Sequence, residues 1–288
     1  MTDICRPFTI DSNAKDPLFS AEKITWCPGC PNFSILSSVK KTLNKLIKKG
    51  LKQENIAITT DIGCSSKIYD YIKVSGIYGL HGRSLPTGFG IKLGNPNLTV
   101  LSFVGDGGIY NEGISHLIHQ GRYNADMTLI VHDNQSFSLT TGQPTATSQK
   151  GYKSKSLPAG QPDPPLNPAK IALAAGMTFI ARCNARDIEH TAEVLEKAIK
   201  HKGFSFVEIL QDCLIFNTEN NLKDKLMYKV EDNKDKTKAG KLVEEYDYEK
   251  QDGKIPIGVL FQEQKPTLTD KWPQLKKLKD KGVSWRDK

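Results

Sequence analysis

Leu98 to Val104 reads LTVLSFV, an apolar, β-branched run that leads straight into Gly105-Asp106-Gly107-Gly108. Such a run is a strand, and the glycines mark a sharp exit from it. The chain repeats this arrangement. Ile56 to Thr60 reads as a short buried strand followed by the loop Asp61-Ile62-Gly63-Cys64. Met127 to Val131 is another, ending at His132-Asp133-Asn134, and Phe204 to Leu210 ends at Gln211-Asp212-Cys213. Thr178 to Ala181 adds a strand with no polar exit loop, and Cys183 follows it.

Helical patterns lie between these runs. From Asn32, Ile35, Leu36, Val39, Leu43, Leu46 and Ile47 share one face, and Gly50 ends the segment. Gly82 to Gly94 is helix-like and rich in small residues; helices are also expected over Asn111 to Gly121, Ile171 to Ala175 and Asp187 to His201. Alternating strands and helices predict an α/β fold, a doubly wound, mostly parallel sheet with helices on both faces. In such sheets ligands sit outside the carboxyl ends of the strands. Four strand-end loops here carry Gly, Asp, Asn, Ser or Cys.

Residues 1–23 are polar and aperiodic and are expected to form an arm. Residues 24–218 hold the motifs and form the binding domain. Residues 219–288 are Lys- and Glu-rich, recover apolar character only at Ile255 to Phe261, and are expected to serve subunit contacts. Pro144 to Pro168 is a long stretch without periodicity, the kind of loop that acts as a lid or contact. No internal repeat is present.

The 288 residues include 40 Lys and Arg against 32 Asp and Glu, a net charge of +8. Basic residues concentrate in Lys40 to Lys52, Lys223 to Lys241 and Lys276 to Lys288. Without a recognition motif or interleaved aromatics, nucleic acid is not the expected partner. Solvated helix faces explain these stretches, as does docking of an acidic protein. No run approaches the roughly 18 apolar residues of a membrane span. No signal peptide is read at the start, so a cytoplasmic location is expected. Six cysteines in such a setting are thiols or metal ligands.

Gly105-Asp106-Gly107 leaves a strand and opens a helix, a setting in which backbone amides face an anion. Asp106 suits Mg²⁺, which prefers one or two carboxylates plus phosphate oxygens. Asn134 lies 28 positions on, at the end of the next strand, so a β–α–β crossover returns it beside Asp106. Its amide oxygen is a suitable second ligand, and the Ser136 carbonyl a third. A magnesium diphosphate site follows. Trp26-Cys27-Pro28-Gly29-Cys30 brings two thiols within one turn, and Cys64 and Cys213 complete a set of four. Such a set suits zinc or an iron–sulfur cluster, and the spacing does not choose between them. A dithiol redox role also fits CxxC, but no strand is read before Trp26, as a thioredoxin-like motif requires. Cys5 and Cys183 are read as bystanders.

These motifs together carry a resemblance. WCPGCPNFSIL, DIGCSSKI, GLHGRSLPTGFGIKLGNP, GDGGIYNEGISHLIHQGRYN, IVHDNQSFSLTTGQPTAT, LQDCLIFN and KIPIGVLFQEQKPTL resemble, in this order, the β subunit of 2-oxoacid:ferredoxin oxidoreductases, over Lys23 to Leu268. The resemblance implies the pyrophosphate-binding type of thiamine diphosphate fold. It implies a [4Fe–4S] cluster on Cys27, Cys30, Cys64 and Cys213, and Mg²⁺ on Asp106, Asn134 and the Ser136 carbonyl. It implies cofactor contacts at Ile62, Gly63, Cys64, Ser65, His81, Gly107, Gly108, Ser138 and Leu139, with Lys67 near the reacting centre. The implied reaction is oxidative decarboxylation of a 2-oxoacid with coenzyme A, electrons passing to ferredoxin. The glutamate that thiamine chemistry requires is missing, since Glu112 lies beyond the diphosphate loop. The resemblance places it on an α subunit, in an (αβ)2 or larger assembly, so the chain alone is expected to be inactive. A zinc-stabilised thiamine diphosphate subunit of a non-oxidative decarboxylase is the competing expectation. Two departures stand out: many relatives carry Asp where this chain has Gly108, and Gly-Val-Tyr where it has Gln135-Ser136-Phe137. Leu139 stands where pyruvate-specific relatives tend to carry Asn, which leans towards 2-oxoglutarate or a broad range, with pyruvate possible.

Overall fold

The computed structural model describes residues 16–218, 224–250 and 252–282. Cys5, most of the expected N-terminal arm and parts of the two C-terminal basic stretches lie outside them. In chain order the elements are α1 (Asn32–Lys48), β1 (Ile56–Thr60), α2 (Ile68–Tyr71), β2 (Ser75–Tyr78), α3 (Ser84–Gly94), β3 (Thr99–Gly105), a π-helical turn (Gly107–Glu112), α4 (Ile114–Tyr123), β4 (Met127–Asp133), α5 (Pro168–Ala174), β5 (Phe179–Asn184), α6 (Ile188–Lys200), β6 (Phe204–Leu210), β7 (Met227–Lys229), α7 (Lys236–Glu244), β8 (Tyr246–Asp247), β9 (Asp252–Gly253), β10 (Ile255–Gln262), α8 (Leu268–Lys271) and α9 (Pro273–Asp280).

Eight strands form one sheet in the order β2-β1-β3-β4-β6-β5-β10-β7. Every pairing is parallel except β10 against β5. The fold is the expected α/β type with a mostly parallel sheet. β3, β4 and β6 lie side by side, with Gly105 opposite His132 and Asp133 opposite Leu210. Their carboxyl ends, and that of β1, therefore open along one edge.

The core follows from the apolar runs. β4, β5 and β6 are buried along their whole length. On α1 the residues Ile35, Leu36, Val39, Leu43 and Leu46 are buried, each worth about 1.5–3 kcal/mol relative to exposure. α1 packs against α6, and two hydroxyls lock the seam: Ser38 Oγ donates to the Ile188 carbonyl (3.2 Å) and Thr42 Oγ1 to that of Ala192 (2.9 Å). Part of the α1 basic face is answered locally, since Lys45 and Lys49 pair with Glu196 of α6.

Three expectations are refined. Cys183 lies within β5, fully buried, rather than after it. The helix expected from Asn111 begins earlier, as a π-helical turn at Gly107. β10, drawn from the C-terminal stretch, is built into the main sheet between β5 and β7. At the other end, Leu18 is buried and its carbonyl accepts from the Lys73 amide. Among the described residues no helix is long and apolar enough to cross a membrane.

Candidate functional site

Two cavities open at the carboxyl edge of the sheet. The first, ≈ 70 Å³, is lined by the loops after β1, β3, β4 and β6, including Ile62, Gly63, Cys64, Ser65, Asp106, Gly107, Gly108, Asn134, Ser136, Ser138 and Leu139. The second, ≈ 190 Å³, is lined by Cys27, Cys30, Cys64 and Cys213, with Trp26, Asn32 and Lys67. Cys64, Asn134, Ser138 and Leu139 face both cavities and form the wall between them.

In the first cavity, the parallel pairing of β3 and β4 brings Asp106 and Asn134 together, the Asn134 backbone N–H lying against the Asp106 carboxylate. Asp106 is buried, and desolvation pushes its pKa above the usual carboxylate range, opposed by hydrogen bonds from Thr145 and Thr147. Thr145 Oγ1 (2.6 Å) and Thr147 Oγ1 (3.2 Å) both donate to Asp106 Oδ2. Thr147 Oγ1 also lies 3.0 Å from Asp133 Oδ1. Asn134 Oδ1 accepts from the Ser136 amide at 3.1 Å, an Asx turn that orients the loop. The Ser136 carbonyl accepts from the Ser138 amide at 2.9 Å.

Gly107 and Gly108 are required by close approach. A Cβ on residue 107 would stand 2.2 Å from the Phe137 ring, and one on residue 108 would stand 1.9 Å from Asp61 Oδ2. A side chain at position 108 would meet the Asp61 carboxylate, which reaches this spot from the loop after β1. Asp61 is fully buried, bonded by Ser66 Oγ (2.8 Å) and the Gly82 amide (3.2 Å). Burial raises its pKa to about 6.

His81 borders the same cavity, its Nδ1 3.0 Å from Glu112 Oε2 and its ring tilted against Phe137. Three buried polar atoms here have no hydrogen-bond partner: Ser65 Oγ, His132 Nε2 and Gln211 Oε1. Ile62 (39 % exposed) and Leu139 (44 % exposed) leave an apolar rim at the mouth.

In the second cavity the thiols share a field. Burial raises the Cys30 pKa, and the Cys27 and Cys213 sulfurs add to the rise. Burial takes Cys64 up to about 11, offset in part by the Lys67 ammonium. The Phe216 amide donates to Cys213 Sγ at 3.4 Å, and Trp26 Nε1 donates to the Cys64 carbonyl at 2.7 Å, tying the CxxC turn to the loop after β1. Among the described residues no three His, Cys, Asp or Glu side chains come close enough to hold a single metal ion. No strand precedes Trp26 in residues 16–25. Lys67 caps α2, and its Nζ donates to the Thr25 carbonyl at 3.2 Å. It lines the thiol cavity and not the first one. Cys183 stands apart, its thiol pushed by burial up to about 12.

Sequence reasoning did not single out Asp61, Asn32, His132, Phe137, Thr145 or Thr147. The two threonines sit in the long loop after β4, where only the Thr-Ala-Thr repeat so soon after Asn134 offered a signal.

Residues 61–209 match the thiamine pyrophosphate enzyme, C-terminal TPP binding domain family. The chain is 38% identical over 250 residues to the 2-oxoacid:ferredoxin oxidoreductase subunit beta of Saccharolobus solfataricus, covering 82% of this chain and 81% of that one. It is 39% identical to the 2-oxoglutarate oxidoreductase subunit KorB of Mycobacterium tuberculosis, over 73% of this chain and 56% of that protein. Its fold superposes on the 2-oxoglutarate:ferredoxin oxidoreductase from Magnetococcus marinus, solved with 2-oxoglutarate, coenzyme A and succinyl-CoA bound, with a TM-score of 0.84, 29% identity and 98% and 95% of the two chains covered. With these likenesses, and a glycine-lined cavity at the carboxyl edge of the sheet, the chain belongs to the β subunits of the 2-oxoacid:ferredoxin oxidoreductase family.

Proposed function

We propose that the chain works with an α subunit to convert a 2-oxoacid and coenzyme A to acyl-CoA and CO2, passing electrons to ferredoxin. The observation that carries this is the shared wall. Cys64, Asn134, Ser138 and Leu139 separate a diphosphate-sized cavity from a four-thiol cavity, so carbon chemistry and electron acceptance lie side by side. Thiamine diphosphate, when bound, supplies the electron sink for decarboxylation. Gly107 and Gly108 offer backbone N–H groups to the diphosphate. Asp106 Oδ1, Asn134 Oδ1 and the Ser136 carbonyl hold Mg²⁺, while Thr145 and Thr147 fix Asp106 through Oδ2. Ser65, His81, Ser138 and the exposed Ile62 and Leu139 bound the side on which the coenzyme extends.

A cavity of ≈ 70 Å³ is below the about 300–1,000 Å³ of complete small-molecule sites. This supports a coenzyme completed by the α subunit, which also brings the missing glutamate, in an (αβ)2 or larger assembly. Residues 219–288 and the loop from Pro144 to Pro168 contribute contacts. Cys27, Cys30, Cys64 and Cys213 would hold a [4Fe–4S] cluster, which would supply a one-electron acceptor. The four thiols line one cavity of ≈ 190 Å³, and such a set suits an iron–sulfur cluster as well as zinc. Lys67 borders the thiol cavity beside Cys64, where it offsets the negative charge of the thiolates. Leu139, standing where pyruvate-specific relatives tend to carry Asn, leans towards 2-oxoglutarate within a broad 2-oxoacid range, and the unanswered basic surface receives ferredoxin.

The test is anaerobic purification with the α subunit, followed by iron, sulfide and zinc analysis and absorbance spectroscopy. About four irons per β chain, and bleaching on addition of 2-oxoglutarate plus coenzyme A, are expected. A colourless complex carrying one zinc per chain would refute the electron-transfer role.

A further inference from the structure

His81 lines the first cavity from the loop between β2 and α3, and Glu112 is the last residue of the π-helical turn after β3. The two segments are pressed together. A Cβ on Gly82, whose φ is +67°, would stand 2.6 Å from Glu112 Cβ and 2.9 Å from the Gly108 carbonyl oxygen. One on Gly113 would stand 3.0 Å from the Gly82 carbonyl oxygen. Arg83 Nη1 closes the seam by donating to the Glu112 carbonyl at 2.9 Å. Backbone packing thus holds Glu112 beside His81.

Glu112 Oε2 lies 3.0 Å from His81 Nδ1. A carboxylate only accepts, so Nδ1 carries a proton and donates it. The imidazole also packs on Phe137, the ring centroids 5.7 Å apart, and Phe137 in turn stands against Gly107. Among the described residues His81 Nε2 makes no hydrogen bond. The hydrogen bond on one ring nitrogen decides what the other can do. With Nδ1–H given to Glu112, Nε2 donates to an anion only when it carries a second proton.

We propose that Glu112 is a positioning residue that presents His81 to the bound diphosphate as an imidazolium, with Nδ1–H on Glu112 and Nε2–H on a phosphate oxygen; this rests on reading the first cavity as the diphosphate site. A cation between two anions is favoured over the neutral ring. Cofactor binding to the neutral ring therefore takes up a proton from solvent. The charged groups around the ring are Glu112 from the turn after β3, Asp61 from the loop after β1, Arg83 from its own loop and Asp106 across the cavity.

The experiment is isothermal titration calorimetry of the αβ complex with thiamine diphosphate and Mg²⁺, in buffers of different ionisation enthalpy. It is run at about pH 7.5, above the ordinary histidine value of about 6.5. The slope of apparent enthalpy against buffer enthalpy counts the protons exchanged. The wild type is expected to take up more protons than His81→Ala. Glu112→Gln keeps an acceptor for Nδ1–H but not the charge, so affinity should fall about tenfold and the uptake should shrink. Glu112→Ala should weaken binding about as much as His81→Ala, and the double variant should bind no more weakly than either. The Glu112 side chain is 43 % exposed, so thermal unfolding of its variants should match the wild type. Affinity and uptake unmoved in the Glu112 variants, losses that simply add, or uptake that persists in His81→Ala would each overturn this inference and leave the cofactor site standing. A wild-type complex that binds no thiamine diphosphate would overturn the reading of the cavity and the inference with it.

Discussion

Gly108→Ala is the sharpest probe of how the diphosphate loop is built. The new Cβ would stand 1.9 Å from Asp61 Oδ2 and 3.1 Å from its Cγ, so the carboxylate must retreat by about 1 Å or more to reach ordinary contact. Asp61 is fully buried and bonded at 2.8 Å to Ser66 Oγ and at 3.2 Å to the Gly82 amide. A retreat of that size breaks at least the longer bond. A hydrogen bond to a charged group is worth about 1.5–3 kcal/mol, and overpacking adds about 1–3 kcal/mol. A combined loss of about 3–5 kcal/mol follows. At about 2–4 °C per kcal/mol, the unfolding midpoint should fall by about 10 °C. The assay is thermal unfolding of the αβ complex, with calorimetric titration of thiamine diphosphate, whose affinity should fall because the Gly108 amide moves. In the double variant with Asp61→Gly the clash is gone, so its loss should be smaller than the sum of the two single losses by more than about 1 kcal/mol. A midpoint unchanged by Gly108→Ala, or strict additivity in the cycle, would refute the steric account of why this chain carries Gly108.

Other expectations address the remaining parts of the site. Thr147→Val removes the hydroxyl between Asp106 and Asp133 and should weaken Mg²⁺-dependent cofactor binding about 10–100-fold; unchanged binding would remove the threonine from the metal's support. Cys213→Ala should abolish iron incorporation and ferredoxin reduction while leaving cofactor binding intact, and retained iron would show that Cys213 is not a ligand. If the basic surface receives ferredoxin, the KM for ferredoxin should rise steeply with ionic strength while that for the 2-oxoacid stays flat. A KM for ferredoxin insensitive to salt would place the docking face elsewhere.

Much of the fold was legible because it rests on local pattern. β1 runs over Ile56–Thr60, the bounds its apolar run predicts, and the buried stripe of α1 is the one its spacing predicts. The four expected thiols line one cavity because the loops after β1 and β6 share an edge of the parallel sheet and Trp26 ties the CxxC turn to the first of them. What escaped depends on contacts between distant segments. Asp61 reads only as part of the loop after β1, and its place against Gly108 appears only when that loop packs on the turn after β3. Thr145 and Thr147 lie in a stretch with no periodicity, and their value to Asp106 appears only when that stretch folds back over the edge. The π-helical start at Gly107 escaped because a one-residue widening of a helix leaves no mark on apolar spacing.

The sheet order explains why the two cavities lie side by side in one small chain. β1, β3, β4 and β6 are consecutive neighbours, so their exit loops stand about 4.8 Å apart along the edge. The loop after β1 gives Cys64 to both cavities and Gly63 and Ser65 to the first, and the loop after β4 gives Asn134 and Ser138 to both. No separate domain is needed to bring the four-thiol cavity beside the glycine-lined one. The arrangement also constrains change: a substitution that moves the Cys64 or Ser138 backbone must disturb both cavities together. Ser138→Ala removes only a hydroxyl, whose partner is Ser136 Oγ at 2.7 Å, and should leave both cavities intact. Ser138→Pro, which restrains the backbone and deletes the amide that donates to the Ser136 carbonyl, should reduce cofactor affinity and shift the cluster's spectrum in the same variant. A proline variant that lost cofactor binding with an unaltered cluster would show that the two cavities are mechanically independent despite their common wall.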